Sequence, residues 1–221
     1  MFSWKDRRRL WDGEGRATMA RFLLPKNPWM YNYGSDALDG DVDQVAFEEP
    51  VPDALEHFPP RRCFGGGARV SSRNMPTRLR LKGRKRTLLD FDNQFHMLLV
   101  SRRFIDLVES LQQDLQYFPI QCVWRDGSSA GQFFFFFTTV LRDAVNREKT
   151  NAKWVQTSGG GLWQPESGQT FAFDKARIGD VHMWVDPHMP TKGPLVSEEL
   201  FKRLKDADIR SFYDAPLFEE V

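Results

Sequence analysis

The chain has 221 residues, of which 41% are hydrophobic and 14% aromatic, with 31 Lys and Arg against 30 Asp and Glu. A chain of this length can bury a hydrophobic core that is stable without disulfides or metal ions. Its near-zero net charge excludes a long-range electrostatic attraction of the whole protein to nucleic acid or membrane. Only two cysteines occur, Cys63 and Cys122, far apart and without CxxC spacing, which excludes a disulfide framework and a thiolate zinc site; both are expected to be buried, reduced hydrophobic fillers.

The first residues contain no apolar segment of the signal-peptide type. The longest apolar run, near Phe133–Phe137, is too short to cross a bilayer. We therefore expect a cytoplasmic protein without a membrane partner. Met19 offers an alternative start, which makes residues 1–18 a loose extension in this interpretation.

Residues 19–60 hold six prolines, which remove backbone donors and predict loops and short edge strands. Residues 31–57 contain eight carboxylates and no Lys or Arg, whereas residues 61–103 contain twelve Lys and Arg against Asp90 and Asp92. Adjacent blocks of opposite charge indicate either mutual pairing or two separate functional faces.

The pattern sharpens after residue 85. Leu88–Phe91 is typical of a short strand, and Met97–Val100 leads into Ser101, a good helix N-cap. The following apolar positions lie on one face of a helix; they are Phe104, Ile105, Val108 and Leu111.

Two aromatic segments, Tyr117–Trp124 and Phe133–Val140, flank a Gly/Ser-rich connection and predict an antiparallel hairpin. Five consecutive phenylalanines cannot alternate between core and water, so their strand should be covered on both faces in the middle of the sheet. Further along, the chain predicts a short helix over 141–148, a flexible loop at 158–161, and strands around Phe171–Phe173 and Val181–Val185.

An internal repeat joins two of these parts. Residues 99–105 read LVSRRFI and residues 195–201 read LVSEELF, each followed by an amphipathic helix and an apolar strand start. Two copies are too few for a solenoid, so they predict two equivalent helices on one sheet. The expected fold is therefore α+β: a single domain with a mixed or antiparallel sheet and at least two amphipathic helices. Residues 85–221 would form that domain, and the Pro-rich region 1–84 would wrap it irregularly.

From about residue 88 to residue 218 the chain resembles the immunity-protein family numbered eleven, found in bacterial polymorphic toxin systems. The first eighty residues carry no part of this likeness. The resemblance rests on an ordered set of segments: LLVSRRFIDL at 98–107, LQYFPI at 115–120, VLRDAVNREKT at 140–150, FDKARIGD at 173–180 and PLVSEEL at 194–200.

This resemblance implies an antitoxin without an active site, made beside a secreted toxin that travels by a contact-dependent or type VI route. It implies no catalytic residue, metal or cofactor. The expected partner is the toxin encoded by the adjacent gene, with a nuclease that acts in the cytoplasm as the first choice, and no specific nucleic acid. A homodimer stays open. The matched positions are structural and do not name the toxin-binding residues.

The acidic segment, residues 31–57, is the preferred binding element, because its carboxylates are complementary in charge to the basic substrate groove of a nuclease. A solvated or self-paired acidic loop is the alternative. Trp163 is a second candidate, as an interface anchor on a loop, with packing on the core as its alternative. The candidate toxin-binding residues are Asp36, Asp39, Asp41, Asp43, Glu48, Glu49 and Trp163.

Two rival functions remain. The basic stretch 61–103 would serve a nucleic-acid-binding module, although no recognition motif accompanies it. A metal-dependent hydrolase would need His182 and His188 with Asp180 and Asp186, but their spacing matches no ligand motif, so this rival is weaker.

Overall fold

The computed structural model describes residues 19–23, 34–51, 55, 58, 60, 66–83, 85, 87–157, 160–164, 170–209 and 217–220. Strands outnumber helices in these ranges. The strands are β1 (Met19–Phe22), β2 (Ser35–Ala37), β3 (Arg78–Leu81), β4 (Phe91–Gln94), β5 (Met97–Val100), β6 (Leu115–Trp124), β7 (Ser129–Thr138), β8 (Lys153–Thr157), β9 (Gly160–Gln164), β10 (Ala172–Phe173), β11 (Met183–Trp184), β12 (Leu195–Ser197) and β13 (Leu217–Glu220). The α-helices are α1 (Arg102–Glu109), α2 (Lys175–Ile178) and α3 (Glu198–Asp206).

The larger sheet has six strands in the order β2-β3-β6-β7-β5-β4. β3 and β6 run parallel and the other neighbours antiparallel, so the sheet is mixed. Its two edge strands meet, because Ser35 Oγ on β2 donates to Gln94 Oε1 on β4 at 2.6 Å. The sheet therefore curls until its edges touch. This architecture confirms the expected α+β fold with a mixed sheet.

A second sheet has five strands in the order β10-β13-β1-β12-β11, and β8 with β9 forms a separate two-stranded hairpin. The prediction of one sheet is therefore wrong. Within the Pro-rich region β2 is an edge strand as predicted, whereas β1 lies at the centre of the second sheet. β1 can occupy a central position because it contains no proline and keeps every backbone donor. β2 and β3 precede residue 85 yet pair within the larger sheet; the domain boundary at 84/85 stays a prediction.

The repeat folds as two matching units. Ser101 and Ser197 each end a strand and cap a helix, accepting from Phe104 N at 3.3 Å and from Leu200 N at 3.2 Å. The strands β5 and β12 belong to different sheets. The prediction that the two helices lie on one sheet is therefore wrong. Their apolar faces meet in a common core instead; it includes Phe104, Ile105, Val108, Leu200, Phe201 and Leu204.

The phenylalanine run behaves as its composition requires. Phe134 and Phe136 face the core shared with the helices, while Phe135 and Phe137 face the core inside the curled sheet. All four are buried, and β7 lies between β6 and β5. The prediction of a central strand covered on both faces is confirmed.

Three local predictions differ from the structure. The helix expected over 141–148 is wrong: residues 141–146 contain no helix and form isolated bridges at Leu141–Val185 and Val145–Phe173, and residues 147–149 form a turn. Hydrogen bonds to neighbouring segments are more stabilising here than a helix would be, because the apolar residues match a helical face over barely two turns and so short a helix is marginal. The strand expected at Leu88–Phe91 begins at Phe91. Gly160 and Gly161 lie in β9 rather than in a loop, and 158–159 lie outside the described residues.

Cys122 matches its prediction. Its thiol is buried in the core inside the curled sheet, and this burial raises its pKa to about 12. A thiol held this firmly in its neutral form is a poor nucleophile and metal ligand. Cys63 lies outside the described residues.

Candidate protein-binding surfaces

The acidic segment runs from β2 to a bridge between Phe47 and Val70. Asp36 projects from β2 and pairs with Lys82 at 2.6 Å, with both side chains about half exposed at 49%. Further on, Glu48 pairs with Arg69 at 3.2 Å. The basic partners come from the neighbouring basic block. Mutual pairing of the two charge blocks is therefore present in the structure, at two of the six acidic candidates.

Asp39 holds the start of β3. Its carboxylate accepts hydrogen bonds from Thr77 N at 2.7 Å, Thr77 Oγ1 at 2.7 Å and Arg78 N at 3.1 Å. Burial raises the pKa of Asp39, but these hydrogen bonds and the Arg78 charge outweigh it and lower the pKa overall. A carboxylate has about four acceptor sites, and three hydrogen bonds within the protein already occupy most of those of Asp39.

The remaining acidic candidates lie on the outside of the segment. Asp41 caps the 3₁₀ turn Val42–Gln44, accepting from Asp43 N at 3.0 Å. Asp43, Glu48 and Glu49 are exposed. We call the acidic surface the exposed carboxylates of this segment other than Asp39, whose carboxylate binds the start of β3: Asp36, Asp41, Asp43, Glu48 and Glu49.

Several cations of the basic block are paired with carboxylates in the described part of the chain. Lys82 and Arg69 pair with the acidic segment, and Lys85 pairs with Asp126 of the β6–β7 turn at 2.6 Å. The bond from Lys85, together with those from Ser128, lowers the pKa of Asp126. Four of the basic residues lie outside the described ranges; they are Arg61, Arg62, Arg84 and Arg86.

Trp163 lies in the core rather than on the surface. It is 6% exposed, packs against Phe171 and Trp154 at ring distances of 6.1 and 4.9 Å, and its Nε1 has no hydrogen-bond partner among the described residues. The packed alternative matches this position, and the role of interface anchor stays a prediction. Its cross-strand partner Trp154 is the tryptophan of this hairpin that reaches the surface.

The two histidines of the rival metal site serve different parts of the fold. His182 Nδ1 lies 2.8 Å from Ser197 Oγ, whereas His188 Nδ1 lies 2.8 Å from the Gly161 carbonyl oxygen. Asp186 is buried and accepts from the backbone N–H groups of Ala144 and His188 at 3.3 and 2.9 Å. Across the described ranges, no three His, Cys, Asp or Glu side chains converge to hold a metal ion.

Sequence reasoning recognised the turn Asp186-Pro187-His188 but missed that it positions the β8–β9 hairpin. Trp163 N donates to His188 O at 2.9 Å, and the His188 ring contacts Trp154 at 5.0 Å between ring centroids. Since a carbonyl oxygen only accepts, the bond to Gly161 puts the proton on His188 Nδ1. The spacing Asp186-Pro187-His188 was a turn signal, but its tertiary partner is invisible in the sequence.

Two comparisons bear on the identity of the chain. The family model of the immunity protein family Imm11 matches residues 41–215, which is more than half of the chain. The match begins well before residue 88 and includes most of the acidic segment, so the expectation that the first eighty residues carry no part of the likeness is wrong. A comparison with curated proteins found no match. In the described part of the molecule, every helix is too short or too polar to cross a lipid bilayer.

Proposed function

The chain belongs to the Imm11 immunity protein family, and from this membership we propose that it neutralises one cognate toxin by covering the toxin's active or substrate-binding site. The match over residues 41–215 is the observation that carries the proposal. An immunity protein acts by binding, and the inhibition is stoichiometric rather than catalytic in our proposal. The described histidines and buried Asp186 have structural partners, which supports a role without chemistry.

The acidic surface suggests which toxin is inhibited. Its exposed carboxylates complement a basic groove of the kind that contacts phosphates in nucleases. We therefore favour a nuclease toxin. An inhibitor must meet a nuclease where the nucleic acid is, which places the encounter in the cytoplasm. In this proposal the toxin is delivered by a neighbouring cell, through a type VI or contact-dependent route, during competition between bacteria.

A rescue experiment tests the function directly. Cells that express the toxin encoded by the adjacent gene should survive when this chain is co-expressed, and the two purified proteins should form a 1:1 complex. The chain alone should turn over neither nucleic acid nor a small molecule. Failure to protect the cells and to bind the adjacent product would contradict the proposed function.

Charge reversal tests the acidic surface. The variant Asp43→Lys, Glu49→Lys should slow association with the toxin by about tenfold at low salt, and the difference should shrink as salt is raised. Asp39 is excluded from the variant because its carboxylate holds β3. The matched control is Asp114→Lys, Asp180→Lys, which changes the net charge equally at two other exposed positions. Equal association rates for both variants would rule out the acidic surface but not the antitoxin role.

A further inference from the structure

The β8–β9 hairpin is attached to the body on one side. In the described part of the chain neither strand pairs with any third strand. The hairpin is fixed by Trp163 in the core and by the bonds that Trp163 N and the Gly161 carbonyl form with His188. Exposed residues of the hairpin are Lys153, Gln156, Thr157 and Gln164.

Gly161 determines where Trp154 lies. A Cβ atom at position 161 would come within 1.7 Å of Trp154 Cζ2, so the indole rests directly on the β9 backbone. His188 contacts the same indole at 5.0 Å and Trp163 contacts it at 4.9 Å. Trp154 is thus a half-buried, firmly positioned ring with one side toward the surface.

Arg147 covers that ring from a rigid turn. Its guanidinium carbon lies 4.6 Å from the Trp154 ring centroid. The turn is closed by Asn146, whose Oδ1 accepts from Glu148 N at 3.2 Å and from Lys149 N at 3.1 Å. Asn146 N in turn donates to the Ala172 carbonyl at 2.8 Å, which ties the turn to β10. The backbone on both sides of Arg147 is therefore fixed by hydrogen bonds, and the side chain is positioned by its contact with Trp154.

Arg147 is exposed, and no carboxylate of the described residues pairs with it. Asp143, in the same stretch of chain, faces His188 Nε2 at 3.8 Å instead. A guanidinium stacked on an indole keeps its N–H edge free, and that edge matches the two oxygens of a carboxylate. Arg and Trp are also the residues that most often dominate the energy of protein interfaces.

We propose that Arg147 and Trp154 form a second contact site for the cognate toxin, at which Arg147 receives a toxin carboxylate and Trp154 packs against the apolar side chain beside it. This site rests on the proposed function, since it assumes that the chain binds a toxin. Its sign is opposite to that of the acidic surface, so the two sites would fix the orientation of a partner that has both a basic and an acidic region.

A protein carboxylate fits this site better than a nucleic-acid phosphate. Exposed Glu148 and Asp143 lie in the same stretch of chain as Arg147, so the neighbourhood is not uniformly basic. Binding to a phosphate backbone depends on several cations acting together. One oriented guanidinium on an aromatic ring suits a single, directional carboxylate.

The test compares Arg147→Gln with Arg125→Gln, which removes an exposed arginine from the β6–β7 turn. The probe is the purified protein encoded by the adjacent gene, and binding is followed by surface plasmon resonance. Arg147→Gln should raise Kd by about 10- to 100-fold, mainly through faster dissociation, while Arg125→Gln binds as wild type. Arg147→Lys should not restore binding, because lysine keeps the charge without the planar fork.

Gly161→Ala provides an independent variant. It displaces Trp154 while leaving Arg147 in the sequence, and it should also weaken binding. If wild type binds the probe but Arg147→Gln and Arg125→Gln are indistinguishable, the site is wrong and the antitoxin function stands. If wild type does not bind the probe, the proposed function fails and the site with it. Binding of plain duplex DNA that depends on Arg147 would also overturn the proposal.

Discussion

In the β6–β7 hairpin each strand has a hydrogen-bonded neighbour on its outer side, whereas in β8–β9 neither strand has one among the described residues. The first hairpin has ten-residue strands and places Phe134–Phe137 in two cores. The second has five-residue strands and depends on Trp163 and the His188 turn. The difference separates a hairpin built into two cores from one that is attached on one side only, and elements with few attachments open locally at low cost.

The largest effect is expected in the centre of β7. Phe136→Ala should lower the free energy of unfolding by about 3–5 kcal/mol, because a fully buried ring that touches Phe104 is removed and leaves a cavity. Urea unfolding measures the change. Phe133→Ala is the control, since Phe133 is only partly buried and should lose less. Similar losses at both positions would contradict the distinction between the centre and the end of the run.

The turn that holds β8–β9 should make stability depend on pH. Burial raises the pKa of Asp186 to about 6, against the lowering effect of the hydrogen bond from His188 N. The unfolded chain releases this proton near pH 4, so between about pH 4 and 6 the folded protein holds a proton that the unfolded chain has lost. The contribution of Asp186 to stability therefore falls by about 3 kcal/mol as the pH rises through this window, and it is level above it.

Asp186→Asn tests this pH dependence. The difference in unfolding free energy between wild type and variant should decline from pH 4 to pH 6, when both are measured by urea unfolding in the same buffers. Asp180→Asn, an exposed carboxylate in the same part of the chain, is the control and should leave the slope unchanged. An identical slope in wild type and Asp186→Asn would show that Asp186 is not the titrating group.

Gly161→Ala should loosen β8–β9 without unfolding the rest. The new Cβ collides with Trp154, and overpacking of this kind costs about 1–3 kcal/mol. Hydrogen exchange should become faster at the amides of β8 and β9 and stay unchanged in β6 and β7. The double variant Trp154→Ala, Gly161→Ala removes the collision, so its cost should be less than the sum of the single costs. Strictly additive costs would contradict the close contact.

The smallest effect is expected at the tip of β6–β7. Asp126 pairs with Lys85 and accepts from Ser128 N and Oγ, but its side chain is exposed. Asp126→Ala should shift the urea midpoint slightly, and the shift should shrink at high salt because exposed charges are screened. Ser128→Ala, which retains the ion pair, should be insensitive to salt. A midpoint shift as large as that of Phe136→Ala would reverse the comparison of the two hairpins.

Sequence patterns predicted correctly those elements that depend on residues close to one another in the chain. The hairpin with the phenylalanine run, the serine cap at Ser101 and its repetition at Ser197 all follow from residues within a few positions of one another. The stretch 141–148 failed for the opposite reason. Its backbone donors pair with Val185 and Asp186, some forty residues away, and a helical spacing of three apolar residues cannot reveal such partners.

The candidate sites divide in the same way. Acidity of the segment around Asp36–Glu49 is visible in the sequence, but the use of Asp39 as an anchor for β3 and of Lys82 as a partner for Asp36 is not. Trp163 was chosen because its loop-like neighbours suggested exposure. In the structure Trp163 is buried in the core, whereas its cross-strand partner Trp154 packs against the same core but is only partly buried. How deeply each ring is buried depends on tertiary neighbours that the sequence pattern does not show.

By itself, the amino-acid sequence determined the composition of this protein's parts: a doubly covered aromatic strand, two serine-capped helices, an acidic segment and membership of an immunity family. The tertiary structure alone decided that β1 enters the middle of a second sheet, that the two capped helices pack on each other, and that Arg147 lies over Trp154. The physical reason is the sequence separation over which each kind of interaction acts. Caps, turns and hydrophobic period act over a few residues, whereas strand neighbours and ion pairs join segments that the chain brings together only when it folds.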